Sequence, residues 1–411
     1  MEGKNVVIVG QQPWDTTLGS NCKDIAREFS KHNRVLYVNT PLDRYTSIYK
    51  RRNPRVKYRM RVVYGKEDGL IRINDNLWVL YPDCIVESVN WIDLRSVFTT
   101  INRLNNKRFA KVIKRYLKRL GFDEFILFND NEIMKCFYLN EYLDPEVSIY
   151  YSRDFILAAP YWNKRAAQLE PDLIRRNDLC VANSFYLTNY CKQYNPRSYY
   201  VGQGFDQALF SLSEYALPKD MEAIRGKVVG YVGVLHSSRL DIDAMVHIAR
   251  KLPDWTLVLV GPEDEGFKQS ALHRMSNVVF VGMKDGKELP HYINAFDVCI
   301  NPQFLTPLTI GNYPRKIDEY LIMGKPVVAL MTHAMETFSE VVYLANTKDE
   351  YVRLIRQALN EDCEELRVRR IALASTHSWA NSVAAIYKAI EQVVDKEGGS
   401  LHTRGVKVMT P

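Results

Sequence analysis

Short apolar runs closed by glycine or polar residues alternate along the chain with stretches of helical period. In the first half such runs fall at residues 6–10, 34–39, 77–81, 124–128 and 147–151. The second half repeats the pattern at 227–233, 256–262, 278–283, 297–301 and 327–330. Continuous apolar runs of this length read as parallel strands covered on both faces. Between them the spacing predicts helices. One opens at Gly19-Ser20 and runs through Phe29 with Ile25, Ala26 and Phe29 buried; another covers 103–119 on Phe109, Val112, Ile113, Tyr116 and Leu117. Further helices are expected at 314–323, 350–359 and 378–390. Strand, glycine-containing turn, helix and strand within about 35 residues make half of a doubly wound α/β unit. Residues 45–76 follow neither period and read as irregular or hairpin-like. The last dozen read as a frayed tail.

The stretch 313–329 carries the most chemistry. Pro314 suits the first helical position, and Gly324 followed by Pro326 marks the stop. Ile317, Tyr320 and Leu321 recur at i, i+3 and i+4, so that face is expected to be buried. Flanked by apolar runs, the unit reads strand, loop, helix, strand. Its loop and helix start then lie at the carboxyl edge of a sheet, where open α/β folds bind ligands. Arg315 and Lys316 occupy the first turn, where the helix dipole disfavours cations. Two cations at that end suit a bound phosphate, which the dipole and free N–H groups attract. Glu319, one turn on from Arg315, can accept hydrogen bonds from vicinal hydroxyls such as those of a ribose. The same residues would also serve a solvated helix start, and spacing alone does not choose.

Composition narrows the class. With 411 residues, 46% hydrophobic and 25% charged, the chain has the make-up of a soluble protein of two domains. No apolar run approaches the ~18 residues of a membrane span. The first ten residues lead directly into a strand without a signal-peptide layout, so a cytoplasmic location is expected. Seven scattered cysteines, with no Cys-x-x-Cys pair, suggest reduced thiols. The net charge of +7 is uneven: residues 1–200 hold 32 Lys and Arg against 22 Asp and Glu, the remainder 23 against 26. Eight cations fall in 50–66 and eight in 103–119, the latter on an amphipathic helix. Two such segments in one half suggest attraction to an anionic membrane surface. Nucleic acid is not expected, because none of its usual recognition modules occurs.

The 313–329 stretch resembles the nucleotide-sugar-binding helix of the two-domain GT-B glycosyltransferases, in particular the large retaining family four. There the pattern is Glu, seven residues, Glu, then a helix ending in Gly-x-Pro-Val-Val. Glu319 stands at the second Glu, which binds the donor ribose in that family; Gly311 stands at the first, which normally contacts the transferred sugar. The Pro-x-Lys-x-x-Glu-Tyr form is similar to a branch that includes teichuronic-acid and other exopolysaccharide glycosyltransferases.

The resemblance extends along the chain. Gly19 matches one glycine of the family's N-terminal turn, and residues 178–184 and 199–206 resemble the run that closes the N-terminal domain, with Gly202 and Gly204 at the hinge. Residues 227–239 resemble the Gly-Arg-Leu-x-x-x-Lys phosphate motif. Gly233 is kept, Arg239 stands at the Lys, and Val234 replaces the Arg, so one phosphate contact is lost or taken over by Arg315 or Lys316. His236 is a further sugar or phosphate candidate. Gly261 and Met283-Lys284 match positions where the family reads the base through its backbone. On the acceptor side, Asn129-Asp130-Asn131 and Ser152-Arg153-Asp154 close two strands; Asp154 resembles an Asp of the exopolysaccharide branch and would otherwise cap a helix. Asp15 and Asp130 are the alternative bases. The histidine that the family often carries on this side is absent. Residues 378–390 resemble its terminal helix.

The implied fold is α/β of GT-B type: two doubly wound Rossmann-like domains facing a central cleft. Residues 1–205 would bind the acceptor, 206–375 the nucleotide sugar, 376–398 would cross back as a helix, and 399–411 would form a flexible tail. The implied reaction moves a sugar from a nucleotide diphosphate sugar, expected to be UDP-linked, to a hydroxyl of a lipid-linked or polysaccharide acceptor in cell-surface glycan synthesis. Arg239, Arg315, Lys316 and the helix dipole would neutralise the departing diphosphate, so neither metal nor cofactor is expected. A competing reading takes Gly311 and the absent histidine as signs of a catalytically weak, glycosyltransferase-like binding partner. A sugar epimerase of the same fold is a third.

Overall fold

The computed structural model describes residues 1–16, 20–158, 160–211, 214–306, 309–311 and 313–394. Gly19 and the expected tail at 399–411 lie outside the described residues. The chain divides into two compact units, unit 1 comprising residues 1–183, 187–202 and 382 onwards, and unit 2 residues 184–186 and 203–381.

Unit 1 opens with β1 (Asn5–Gly10), α1 (Asn21–Phe29), β2 (Arg34–Asn39), β3 (Leu42–Asp43), α2 (Arg44–Tyr49), α3 (Pro54–Val63), β4 (Leu70–Arg72) and β5 (Leu77–Leu80). It continues with β6 (Ile85–Val86), α4 (Arg95–Leu120), β7 (Ile126–Asp130), α5 (Leu139–Leu143) and β8 (Val147–Ser152). Then come α6 (Pro160–Arg176), β9 (Leu179–Ala182), α7 (Phe185–Lys192) and β10 (Ser198–Tyr200). Eight strands form one sheet in the order β10-β9-β8-β7-β1-β2-β5-β4, parallel except for β4. The apolar runs become strands because both faces are covered. Val7, Val9, Leu36 and Val38 pack with Phe109, Ile113 and Leu117 of α4. Phe29 of α1 meets Phe128 at 6.0 Å between ring centroids.

The basic stretch expected to be irregular is not. Residues 44–63 hold two helices, and only the β4–β5 hairpin matches the expectation. Asp43 caps α2 through the Thr46 N–H at 2.9 Å, and Asn53 followed by Pro54 starts α3. Val56 and Val62 are the buried residues of α3, too few to mark a helical period among so many cations. Helix α4 begins before the expected 103 and ends at Gly121, whose φ of 64° permits the left-handed cap. No helix among the described residues is long and apolar enough to cross a membrane.

Unit 2 contains β11 (Lys227–Val232), α8 (Ile242–Lys251), β12 (Trp255–Val260), α9 (Glu265–Lys268), β13 (Val278–Gly282), α10 (Leu289–Asn294) and β14 (Val298–Asn301). It ends with α11 (Arg315–Ile322), β15 (Val327–Leu330), β16 (Tyr343–Ala345), α12 (Lys348–Asn360) and α13 (Glu364–Thr376). The last helix, α14 (Trp379–Val394), starts in unit 2 and belongs to unit 1 from Ser382 onwards. There Tyr387 packs on Phe29 at 5.4 Å and accepts from Asn33 at 2.8 Å. The six strands of unit 2 are all parallel, in the order β13-β12-β11-β14-β15-β16. Strand order therefore reverses between β11 and β14 here, and between β1 and β7 in unit 1. Such reversal points open crevices at the carboxyl ends of the strands. All seven cysteines are free thiols: five are buried, Cys84 is half-buried and Cys363 is exposed.

Candidate active site

In unit 2 the loop after β11 is pressed against its neighbours. Gly233 has φ +142°, and a Cβ there would lie 3.0 Å from Cε of Lys316 and 3.0 Å from the Tyr231 hydroxyl. Gly261, after β12, has φ +150°, and a Cβ would come within 1.9 Å of the Gly233 carbonyl oxygen. Both positions therefore require glycine. The loop is further tied down where the Ser237 N–H and hydroxyl both donate to Asp264, at 2.8 and 2.7 Å. His236 is half-exposed, with Nδ1 2.9 Å from the Ser238 hydroxyl. Arg239 is exposed, and its side chain makes no hydrogen bond or ion pair among the described residues. The Asp-x-Asp pair in this region, Asp241 and Asp243, starts a helix: Asp241 accepts from the Ala244 N–H at 2.9 Å and caps α8.

Helix α11 supplies the charges. Pro314 precedes the helix by one position instead of opening it, and Ile317, Tyr320 and Leu321 are fully buried as the spacing predicts. The Tyr320 hydroxyl accepts from the Val232 N–H at 2.8 Å, which pins the helix to the end of β11. The Lys316 ammonium lies 5.2 Å from the centroid of the Tyr231 ring and has no ion-pair partner among the described residues. Arg315 sits 3.3 Å from Glu319, whose side chain is 16% exposed. Burial pushes the Glu319 pKa up, against the pull of Arg315 and Lys316. Gly311, at the expected position of a carboxylate, is buried, and its carbonyl accepts from the Ser184 hydroxyl at 3.0 Å.

The two remaining candidates lie elsewhere in unit 2. Met283 is 75% exposed. The Lys284 ammonium donates to Asp220 at 2.6 Å and stands over the Tyr292 ring, so the unit's own residues engage it.

Sequence reasoning missed two features. Asn301, at the carboxyl end of β14, is buried and its Oδ1 has no hydrogen-bond partner among the described residues. A polar residue closing an apolar strand was the available signal, the same one that drew attention to Asp130. Asp318 is fully buried between the Tyr313 hydroxyl and Nδ1 of His377, both at 2.7 Å. Burial raises its pKa, opposed by His377 and Tyr313. No local pattern could show this, because His377 lies in the linker between α13 and α14.

In unit 1, Arg153 is the hub of the β1–β7 reversal point. Its Nε donates to Asp130 at 2.7 Å, Nη1 to Asp154 at 2.6 Å and Nη2 to Gln11 at 3.0 Å. Burial works against the guanidinium charge, and Asp130 and Asp154 more than offset it. Asp130 is fully buried, and burial raises its pKa against the Arg153 charge; it holds Arg153 in place. Asp154 is 46% exposed and accepts from Arg153, not from a helix-start N–H. Asp15 is held 3.4 Å from Arg59 and 3.7 Å from Arg55. Of the three expected bases, Asp154 is the most open.

The fold has known counterparts. Residues 226–361 match the family model described as Glycosyl transferases group 1. Over 181 residues the chain is 30% identical to a Bacillus subtilis (strain 168) protein with the provisional name teichuronic acid biosynthesis glycosyltransferase TuaH; the match covers 42% of this chain and 45% of that one, less than half the relative's length. Among solved structures, sucrose-phosphate synthase from Thermosynechococcus elongatus aligns with TM-score 0.62 at 13% identity, over 96% of this chain and 100% of its own. HepE from Anabaena, in complex with UDP and glucose, aligns with TM-score 0.61 at 15% identity, over 95% of this chain and 100% of its own. A trehalose-6-phosphate protein from E. coli, bound with UDP-2-fluoro glucose, aligns with TM-score 0.64 at 11% identity, over 95% and 99%. The chain thus has the GT-B fold, and residues 226–361 are similar to the group 1 glycosyltransferases.

Proposed function

We propose that the protein is a glycosyltransferase that moves a sugar from a UDP-linked donor to a hydroxyl of a lipid-linked or polysaccharide acceptor, for cell-surface glycan synthesis at the cytoplasmic face of a membrane. The observation that carries this reading is Lys316: a cation without a carboxylate partner among the described residues, on the first turn of α11, against the glycine that follows β11. Lys316, Arg239 and the start of α11 would take the diphosphate, and Glu319 the ribose. The UDP found in the HepE structure supports the choice of nucleotide. With Gly311 where the family has its first Glu, attack by the acceptor calls for a base, and Asp154 is our choice. The acceptor oxygen would bond to the anomeric carbon as the bond to the diphosphate breaks, and its proton would pass to Asp154.

Calorimetric titration with UDP tests the donor half: binding should be measurable in the wild type and weaker in Lys316→Ala. Wild-type protein that takes up no UDP would sink the proposal. The weak-partner reading, favoured by Gly311, predicts UDP binding without turnover in the presence of lipid-linked acceptors.

A further inference from the structure

From Arg103 onwards helix α4 sorts its cations by type, while Arg95 at its start is exposed and has no ion-pair partner among the described residues. Arg103, Arg108, Arg115 and Arg119 each reach a carboxylate of a neighbouring element: Glu141 at 3.1 Å, Glu87 at 3.1 Å, Asp83 at 2.5 Å and Asp68 at 2.8 Å. Lys107, Lys111, Lys114 and Lys118 are exposed, and none has an ion-pair partner among the described residues. Their spacing of four, three and four residues is that of one helix face. At about 100° per residue these lysines, with Val97 and Leu104, fall within an arc of about 100°. The buried residues of α4 occupy the opposite side, and the arginines flank the lysine arc on both edges. Val97 and Leu104 are exposed, Leu104 at 51%. A recess of about 440 Å³ beside the arc is lined by Leu104, Ala110, Tyr142, Arg108 and three of the lysines.

We propose that this outward face of α4 is a docking face for an anionic bilayer surface. The proposal rests on the membrane-facing part of the function above and names the residues that would serve it. Four cations without counter-charges attract a negative surface, and their alkyl stems can lie along apolar material while the ammonium groups stay at the headgroups. Exposed Val97 and Leu104 on the same arc suit an interfacial helix, as do exposed Trp91 and Leu94 just ahead of it. A nucleic acid backbone would use the lysines but not these apolar side chains.

The test is sedimentation with vesicles of equal parts phosphatidylglycerol and phosphatidylcholine, against vesicles of phosphatidylcholine alone. The wild type should sediment with the first and not the second, and high salt should release it. Each lysine near such a surface is worth a factor of about five, so Lys107→Gln, Lys111→Gln, Lys114→Gln and Lys118→Gln combined should lose roughly 100-fold or more in vesicle affinity. Removing a neutral pair instead, with Arg115→Gln and Asp83→Asn, should leave affinity within about twofold. The idea is overturned if the quadruple variant binds anionic vesicles like the wild type, if the wild type ignores lipid charge, or if single-stranded DNA captures it while vesicles do not. UDP titration of the same two proteins keeps the readings apart. Equal UDP affinity with lost vesicle binding supports the docking face, whereas vesicle binding without UDP binding leaves the docking face standing and removes the transferase reading.

Discussion

The polar centres at the two reversal points are built in opposite ways. In unit 1 the Arg153 guanidinium is buried and bonded to Asp130, Asp154 and Gln11. In unit 2 Lys316 and Arg239 have no such partners among the described residues, and Lys316 lies against the mouth of β11. A cation already bonded to carboxylates gains little from a phosphate, because it must give up one charged hydrogen bond to make another. An unpartnered cation at a helix start gains the whole interaction. On the proposed function, unit 2 then receives the anionic leaving group. Unit 1 keeps a carboxylate, Asp154, fixed by Arg153, which Asp130 and Gln11 in turn hold in place.

The strongest way to break this contrast is Asp154→Asn. If Asp154 is the base, turnover should fall by roughly 10²–10⁴-fold with UDP affinity unchanged. Near-wild-type turnover would reduce Asp154 to an Arg153 partner.

The next effect is on stability. Glu170 in unit 1 is buried and accepts from the Tyr150 and Tyr190 hydroxyls, at 2.7 and 3.1 Å. Burial pushes its pKa from 4.5 to about 7 against those two hydrogen bonds. A carboxyl raised in the folded state contributes stability that is fully present below its unfolded pKa and is lost as pH rises through the folded value. Glu170 should therefore cost unit 1 about 3 kcal/mol between roughly pH 5 and pH 8. Urea midpoints of wild type and Glu170→Gln across that range check this; curves that fall in parallel would contradict it.

Glu319→Ala comes third. Losing a charge-assisted hydrogen bond to ribose should weaken UDP binding by about 1.5–3 kcal/mol. Unchanged calorimetric affinity would remove Glu319 from the donor site. The smallest effect sharpens the comparison by its absence. Because Lys284 is held by Asp220, and the resemblance gives its position a backbone contact only, Lys284→Met should change UDP affinity by less than about twofold.

Much of the fold was legible because parallel strands covered on both faces leave unbroken apolar runs, as at β1, β7, β11 and β14. The helix start at 315–316 was legible too, since cations at the wrong end of a dipole are a local anomaly. Residues 44–63 were misread because capping by Asp43 and Asn53 outweighs a sparse apolar period. The pairing of Asp318 with His377 and the sorting of arginines from lysines on α4 depend on carboxylates and rings brought in from distant segments. No window of sequence contains both partners.

The distribution of sulfur gives this molecule a built-in gauge of opening. Of its seven thiols Cys363 alone is exposed, and burial holds Cys84, the half-buried one, at a pKa of about 12. A chromogenic thiol reagent should therefore count one fast residue in the native protein and seven in denaturant. The slow residues are unequally shared, five in unit 1 and Cys299 in unit 2. The amplitude released at each denaturant concentration then reports which unit opens first, without label, substrate or mutation.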